Sequence, residues 1–173
     1  MYLVISASLN PSSRSRILAL EALARLQEHS KHAQLVDLQQ WRLPQCDGES
    51  CYDDAEVLRL AGLIQASRGI LLATPVYNYD VSATAKNVIE LTGQAWSDKV
   101  VGIVCAAGSP VSYMALMGLA NSLMLDFHSL IVPRFVFATG EAFDGENRIS
   151  DPEILQRLSN LVQRLVRIAE ALA

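Results

Sequence analysis

The stretch Gly69-Ile70-Leu71-Leu72-Ala73-Thr74-Pro75-Val76-Tyr77-Asn78-Tyr79-Asp80 opens on an apolar run with no polar alternation. A strand that is polar on neither side is covered on both, which places this one in the middle of a parallel sheet between two layers of helix. Thr74-Pro75 is predicted to stop the strand, and a polar, aromatic loop follows it. The same exchange of strand and helix periods continues outward in both directions. Toward the N-terminus, residues 2–6 form an apolar strand, residues 8–13 a polar loop, and Ile17, Leu18, Leu20, Leu23, Ala24 and Leu26 one face of a helix. Residues 34–38 read as a second strand, and 39–52 as an unusually long polar connection. Asp53 and Glu56 have capping-box spacing ahead of a helix that runs to about Ser67. Toward the C-terminus, Ser82 caps a helix carrying Ala85, Val88, Ile89 and Leu91. Residues 99–106 form a fourth strand, 112–127 a helix, and 130–138 a fifth strand interrupted at Pro133. Asp151-Pro152-Glu153 opens the closing helix. Five strands, each followed by a helix and connected in the right-handed sense, give an α/β fold: a three-layer, doubly wound, five-stranded parallel sheet of order 2-1-3-4-5, forming a single domain over 1–173.

Composition agrees with one core and narrows the function. Of 173 residues, 51% are hydrophobic and 18% charged, enough apolar area for a packed domain and too little charge for a disordered chain. The formal charge is −4 and the basic residues are scattered, so no nucleic-acid partner is expected. The uncharged run from Val100 to Leu125 is broken by Gly108-Ser109-Pro110, which suits a buried strand, a turn and a helix, so no membrane partner is expected. The N-terminus has neither a basic n-region nor a cleavage site, so no signal peptide is expected. The three cysteines, Cys46, Cys51 and Cys105, are odd in number and form no C-x-x-C pair. They predict neither a disulfide framework nor a zinc knuckle, and a reducing, cytoplasmic setting is expected.

In an open parallel sheet, ligands bind beyond the carboxyl ends of the strands, where strand order reverses. Three loops meet that description: 7–14, 74–81 and 106–111. The first offers Ser8, Asn10, Ser12, Ser13, Arg14 and Ser15 at a helix N-terminus, where free N–H groups and the helix dipole favour a phosphate. The same serines would also serve as a helix cap and loop solvation. The second loop joins a rigid proline, two tyrosines and an amide that could line a flat heteroaromatic ring, or form a solvated turn or an oligomer contact. The third, with Gly108 and Ser109, is small enough for a planar ring to approach the backbone, though a plain turn explains it too. There is no G-x-G-x-x-G, no G-x-x-x-x-G-K-[ST] and no C-x-x-x-x-x-R, which disfavours a dinucleotide fold, a P-loop and a cysteine phosphatase, and leaves a mononucleotide phosphate for the first loop. No metal site is expected: His29, His32 and His128 read as surface or capping residues, and Asp80 is the only acid in the crevice. A redox or metal role for Cys46 and Cys51 depends on their separation.

The segments Ser8-Leu9-Asn10-Pro11-Ser12-Ser13-Arg14-Ser15, Ala73-Thr74-Pro75-Val76-Tyr77-Asn78 and Ala85-Lys86-Asn87, with Leu43-Pro44 and Ala142-Phe143-Asp144, resemble the NAD(P)H-dependent FMN reductase family of flavodoxin-like proteins. The resemblance covers nearly the whole chain, and the pieces T-P-V-Y-N and A-K-N are its most specific parts. It implies a flavodoxin-like sheet, FMN as cofactor, NADPH or NADH as hydride donor, and a small-molecule electron acceptor such as free flavin, a quinone or an azo compound. It also implies a homodimer or homotetramer. The FMN phosphate would be held by Ser8, Ser13, Arg14 and Ser15 around Asn10, the isoalloxazine bordered by Pro75, Val76, Tyr77 and Asn78, with Gly108 and Ser109 beyond. No protein side chain is implied as catalytic, because the flavin carries the chemistry. Ala7, Asn10 and Ala83 depart from the family pattern, which commonly has glycine, arginine and glycine there. A flavodoxin-type electron carrier and a flavin-free binding module are the alternatives on the same fold.

Overall fold

A computed structural model describes residues 1–29 and 32–172. Its strands are β1 (Tyr2–Ser6), β2 (Ala33–Asp37), β3 (Gly69–Tyr77), β4 (Asp80–Val81), β5 (Val100–Ala106), β6 (Leu130–Ile131) and β7 (Val136–Ala138). The α-helices are α1 (Arg14–His29), α2 (Ala55–Ala66), α3 (Ala83–Thr92), α4 (Met117–Phe127) and α5 (Pro152–Ala171). All strand pairs are parallel except β3 with β4, and the sheet runs β2-β1-β3-β5-β6, with β7 continuing β6 along β5. The five expected strands therefore take the expected order, the fifth in two pieces. Val101 pairs with Ile131 and Val104 with Val136, so two extra residues loop out of the edge strand beside Pro133 and Arg134, the latter at φ 63°.

Side chains alternate between two cores, one on each side of the sheet. Leu3, Ile5, Ile70, Leu72, Val101 and Ile103 pack against α2, α3 and α4 through Leu60, Ile64, Val88 and Leu123. Tyr2, Val4, Leu71, Val100 and Val104 pack against α1 and α5 through Leu18, Leu26, Leu158 and Leu165. Both sides of each central strand are thus apolar, the property that made β3 read as an unalternating run.

Three local expectations are corrected. β3 continues through Thr74-Pro75 to Tyr77 and pairs with β5 as far as Pro75 opposite Ala106. Asp54, one residue later than expected, caps α2 by accepting from the N–H groups of Glu56 and Val57. The predicted fourth helix begins as a 3₁₀ turn, Pro110–Leu116, with non-helical backbone at Ser112, and becomes α-helical only at Met117.

The overrun of β3 depends on a missing hydrogen. Ala7 donates its N–H to the carbonyl of Ala73 at 2.7 Å, so parallel pairing would bring the N–H of residue 75 to the Ala7 carbonyl. Pro75 has no N–H to give. Ser82 Oγ donates to the Ala7 carbonyl instead, at 2.7 Å, while accepting from Ala85 N as the cap of α3. Thr74 Oγ1 closes this buried set by accepting from Ser82 N at 3.2 Å.

Candidate active site

The register sets the loops side by side. Ser6 lies opposite Ala73 and Pro75 opposite Ala106, so the loops leaving β1, β3 and β5 emerge along one rim at the carboxyl ends of the strands.

The first loop is a tightly bonded turn. Asn10 Oδ1 accepts from Ser12 N at 2.9 Å, and the Asn10 carbonyl accepts from Ser13 N at 3.1 Å and from Gln39 Nε2 at 2.7 Å. Asn10 therefore shapes the loop that delivers Ser13 to the start of α1. There Ser13 Oγ accepts from Arg16 N and shares a 2.9 Å hydrogen bond with Ser15 Oγ. The first-turn N–H groups of Arg14 and Ser15 precede any intrahelical acceptor. Ser8, Ser13 and Ser15 are buried, and the loop contains no acid. Ser6 Oγ, at the end of β1 on the side shared with Val4, is buried and has no hydrogen-bond partner among the described residues. This donor set, with buried hydroxyls, first-turn amides and one neighbouring cation, suits an anion at the amino end of α1.

Arg14 is exposed, and its guanidinium turns toward the segment after β7. It stands 5.4 Å from the Phe143 ring centroid, and Nε donates to Asn147 Oδ1 at 3.4 Å. A Cβ at Gly140 would lie 2.8 Å from Arg14 Nη1, so the guanidinium crosses directly over that glycine. The sequence reading marked Phe143 only as part of a closing segment, and missed Gly140 and Asn147 altogether. Contacts across so much chain leave no periodic trace.

The second loop is a two-residue hairpin. Tyr77 pairs with Asp80 and Val76 with Val81, while the central residues Asn78 and Tyr79 both adopt left-handed backbone, φ 50° and 64°. That is the backbone of a type I′ turn, whose twist matches the strands it joins. The turn leaves Tyr77 52% and Tyr79 55% exposed above the rim. The third loop starts from Ala107, whose N–H is bound to the Ala138 carbonyl, and leaves Gly108 and Ser109 exposed. Ser109 caps the following 3₁₀ turn.

Residues 2–144 match the model of the NADPH-dependent FMN reductase family. The chain belongs to that family. It is an oxidoreductase with a flavodoxin-like fold, with a nicotinamide donor and FMN as cofactor or substrate. It is 25% identical over 138 residues to an NAD(P)H-dependent FAD/FMN reductase of Geobacillus thermodenitrificans, an alignment covering 78% of this chain and 74% of the relative. It is 31% identical over 116 residues to an NAD(P)H-dependent FMN reductase of Pseudomonas aeruginosa, covering 63% of each. Among solved structures, the flavoenzyme NAD(P)H:(acceptor) oxidoreductase of Paracoccus denitrificans superposes with a TM-score of 0.78 at 23% identity, over 98% of this chain and 97% of that one. That likeness is one of fold.

Within this family member, the A-K-N segment has a visible structural role. Asn87 Oδ1 accepts from Cys46 N and Asn87 Nδ2 donates to the Pro44 carbonyl, both at 2.9 Å, so α3 pins the long connection after β2. Lys86 is paired with Glu90. No helix among the described residues is long and apolar enough to cross a membrane.

Proposed function

We propose that residues 1–173 act as one FMN-binding unit, with the flavin phosphate at the first loop and the ring system beside the β3–β4 hairpin. The observation that carries this is the donor set at the amino end of α1, where Ser8, Ser13 and Ser15 are buried and the nearby Ser6 hydroxyl has no partner among the described residues, while the neighbouring carboxylate, Asp37, is taken up by its ion pair with Arg16 at 2.6 Å. Ser8, Ser13 and Ser15 would donate to phosphate oxygens around the Asn10 turn, and Arg14 would supply the neighbouring positive charge. Pro75, Val76, Tyr77 and Asn78 would border the isoalloxazine, with Gly108 and Ser109 closing the far side.

The chemistry that FMN supplies when bound is uptake of a hydride from NADPH or NADH and its release to an acceptor. The chain itself would hold the ring edge against the hairpin backbone, offer Tyr77 or Tyr79 for stacking and exclude water from one side. No side chain is required as an acid or base. A small molecule such as free flavin, a quinone or an azo compound would take the electrons at the exposed side of the crevice. The exposed apolar residues Val111, Tyr113, Met114 and Met117 support a homodimer or homotetramer, and three unpaired cysteines support a cytoplasmic setting.

Titration of flavin-stripped protein with FMN, followed by flavin fluorescence, tests this reading. Saturable quenching is expected, and its strength separates a bound cofactor from a shuttled substrate. No binding at roughly tens of micromolar would overturn it.

A further inference from the structure

The long connection between β2 and α2 is the part of the chain that the reductase reading leaves unused. It carries Cys46 and Cys51, whose Sγ atoms lie 3.9 Å apart with no disulfide between them. A disulfide requires about 2.05 Å, so the sulfurs need to close by roughly 2 Å, within reach of side-chain rotation.

The connection holds them there. Asn87 fixes Pro44 and the Cys46 amide. Asp47 Oδ1 accepts from the N–H groups of Glu49 and Cys51, and Asp47 Oδ2 accepts from Ser50 Oγ at 2.7 Å.

The two thiols are unequal. Cys46 is partly exposed and lines a cavity of 430 Å³ together with Tyr52, Lys86 and Glu90. The Tyr52 hydroxyl is 3.6 Å from Cys46 Sγ, and the Cys51 thiol donates to the same sulfur. Cys51 is only 3% exposed, and burial together with the Asp47 carboxylate pushes its thiol up. Cys105 is fully buried in the sheet and pushed up to about 12 by desolvation, which makes it inert.

We propose that Cys46 and Cys51 form a peroxide-reactive dithiol, with Cys46 attacking and Cys51 resolving. The Cys46 thiolate attacks one oxygen of hydrogen peroxide: an S–O bond forms, the O–O bond breaks, and the departing hydroxide takes up the proton that Cys46 lost, leaving as water. The Cys51 sulfur then attacks the Cys46 sulfenic acid: an S–S bond forms, the S–O bond breaks, and the hydroxyl leaves with the Cys51 proton as a second water. Two thiols are thereby oxidised by two electrons and one hydrogen peroxide is reduced to two waters. A dithiol returns the pair to its starting state by exchange.

The test is to treat the intact protein with hydrogen peroxide, count thiols after denaturation and map unreduced peptides. Two of the three thiols should disappear, the peptides bearing Cys46 and Cys51 should be joined and lighter by two hydrogens, and dithiothreitol should restore all three. Cys51→Ser should leave Cys46 as a sulfenic acid that dimedone traps, and Cys105→Ser should behave as the parent protein does. Survival of all three thiols, a link involving Cys105, or oxidation of Cys46 to sulfinic acid without a link would each overturn the proposal. None of these readouts involves flavin, so the result is independent of where FMN binds.

Discussion

Ser13 serves the helix and the crevice with one oxygen, accepting from Arg16 N while bonded to Ser15 Oγ. Ser13→Ala is expected to lower stability by about 1 kcal/mol through the lost cap. It should also weaken FMN binding roughly tenfold, the worth of one charge-assisted hydrogen bond. Urea midpoints and flavin quenching read the two effects separately. Tyr77 is half exposed and carries no part of either core. Tyr77→Ala should therefore leave stability within about 0.5 kcal/mol while weakening FMN about fivefold. Unchanged flavin affinity in both variants would remove FMN from this crevice. Trp96 is fully buried, and its indole N–H donates to Thr92 Oγ1 at 2.8 Å. Thr92→Val leaves that donor unsatisfied and should cost about 1–3 kcal/mol in chemical denaturation. At this scale the serines of the first loop were legible because hydroxyl-rich helix starts have a local signature. The partners of Arg14 were not, since Gly140, Phe143 and Asn147 reach it only through the tertiary fold.

Among the elements, the turn around Asp47 gives a pH prediction. Hydrogen bonds from the Cys51 thiol, the Ser50 hydroxyl and the Glu49 and Cys51 amides hold this carboxyl well below the usual carboxylate range. A depressed folded-state pKa contributes stability above the unfolded value of about 3.9, and that contribution is lost as pH falls through the folded value. Asp47→Asn should accordingly melt below the parent protein at pH 7, and the two melting temperatures should converge as the solution is acidified toward the folded pKa. A difference that stays constant across that range would assign the effect to packing. The ends of elements were legible to within a residue where a cap stood alone, as at Ser82 and Asp151. Where Asp53 and Asp54 stand together, spacing favoured the first and the backbone chose the second. The β3–β4 hairpin was hidden because its turn has Asn78 and Tyr79 where glycine would advertise left-handed backbone.

For the molecule as a whole, the doubly wound sheet was readable because a strand buried on both sides has to be written as an uninterrupted apolar run. What such a run cannot announce is a strand continuing past a proline. The exposed set Val111, Tyr113, Met114 and Met117 makes the assembly testable: Met114→Glu should shift the sedimentation coefficient of a dimer toward that of a monomer while leaving the helical circular dichroism intact. A single species unaffected by the charge would place any interface elsewhere. The handover at Ala7, where a serine hydroxyl replaces the proton that Pro75 lacks, bears on how such a protein diversifies. The hairpin from Val76 to Val81 is moored by Ser82 and Thr74 below its tip, at a buried point that Tyr77, Asn78 and Tyr79 do not share. Side chains at the tip can therefore change without disturbing the registration of the sheet, provided the residues at 78 and 79 still accept left-handed backbone, so the part of the hairpin that faces solvent is uncoupled from the part that holds the fold.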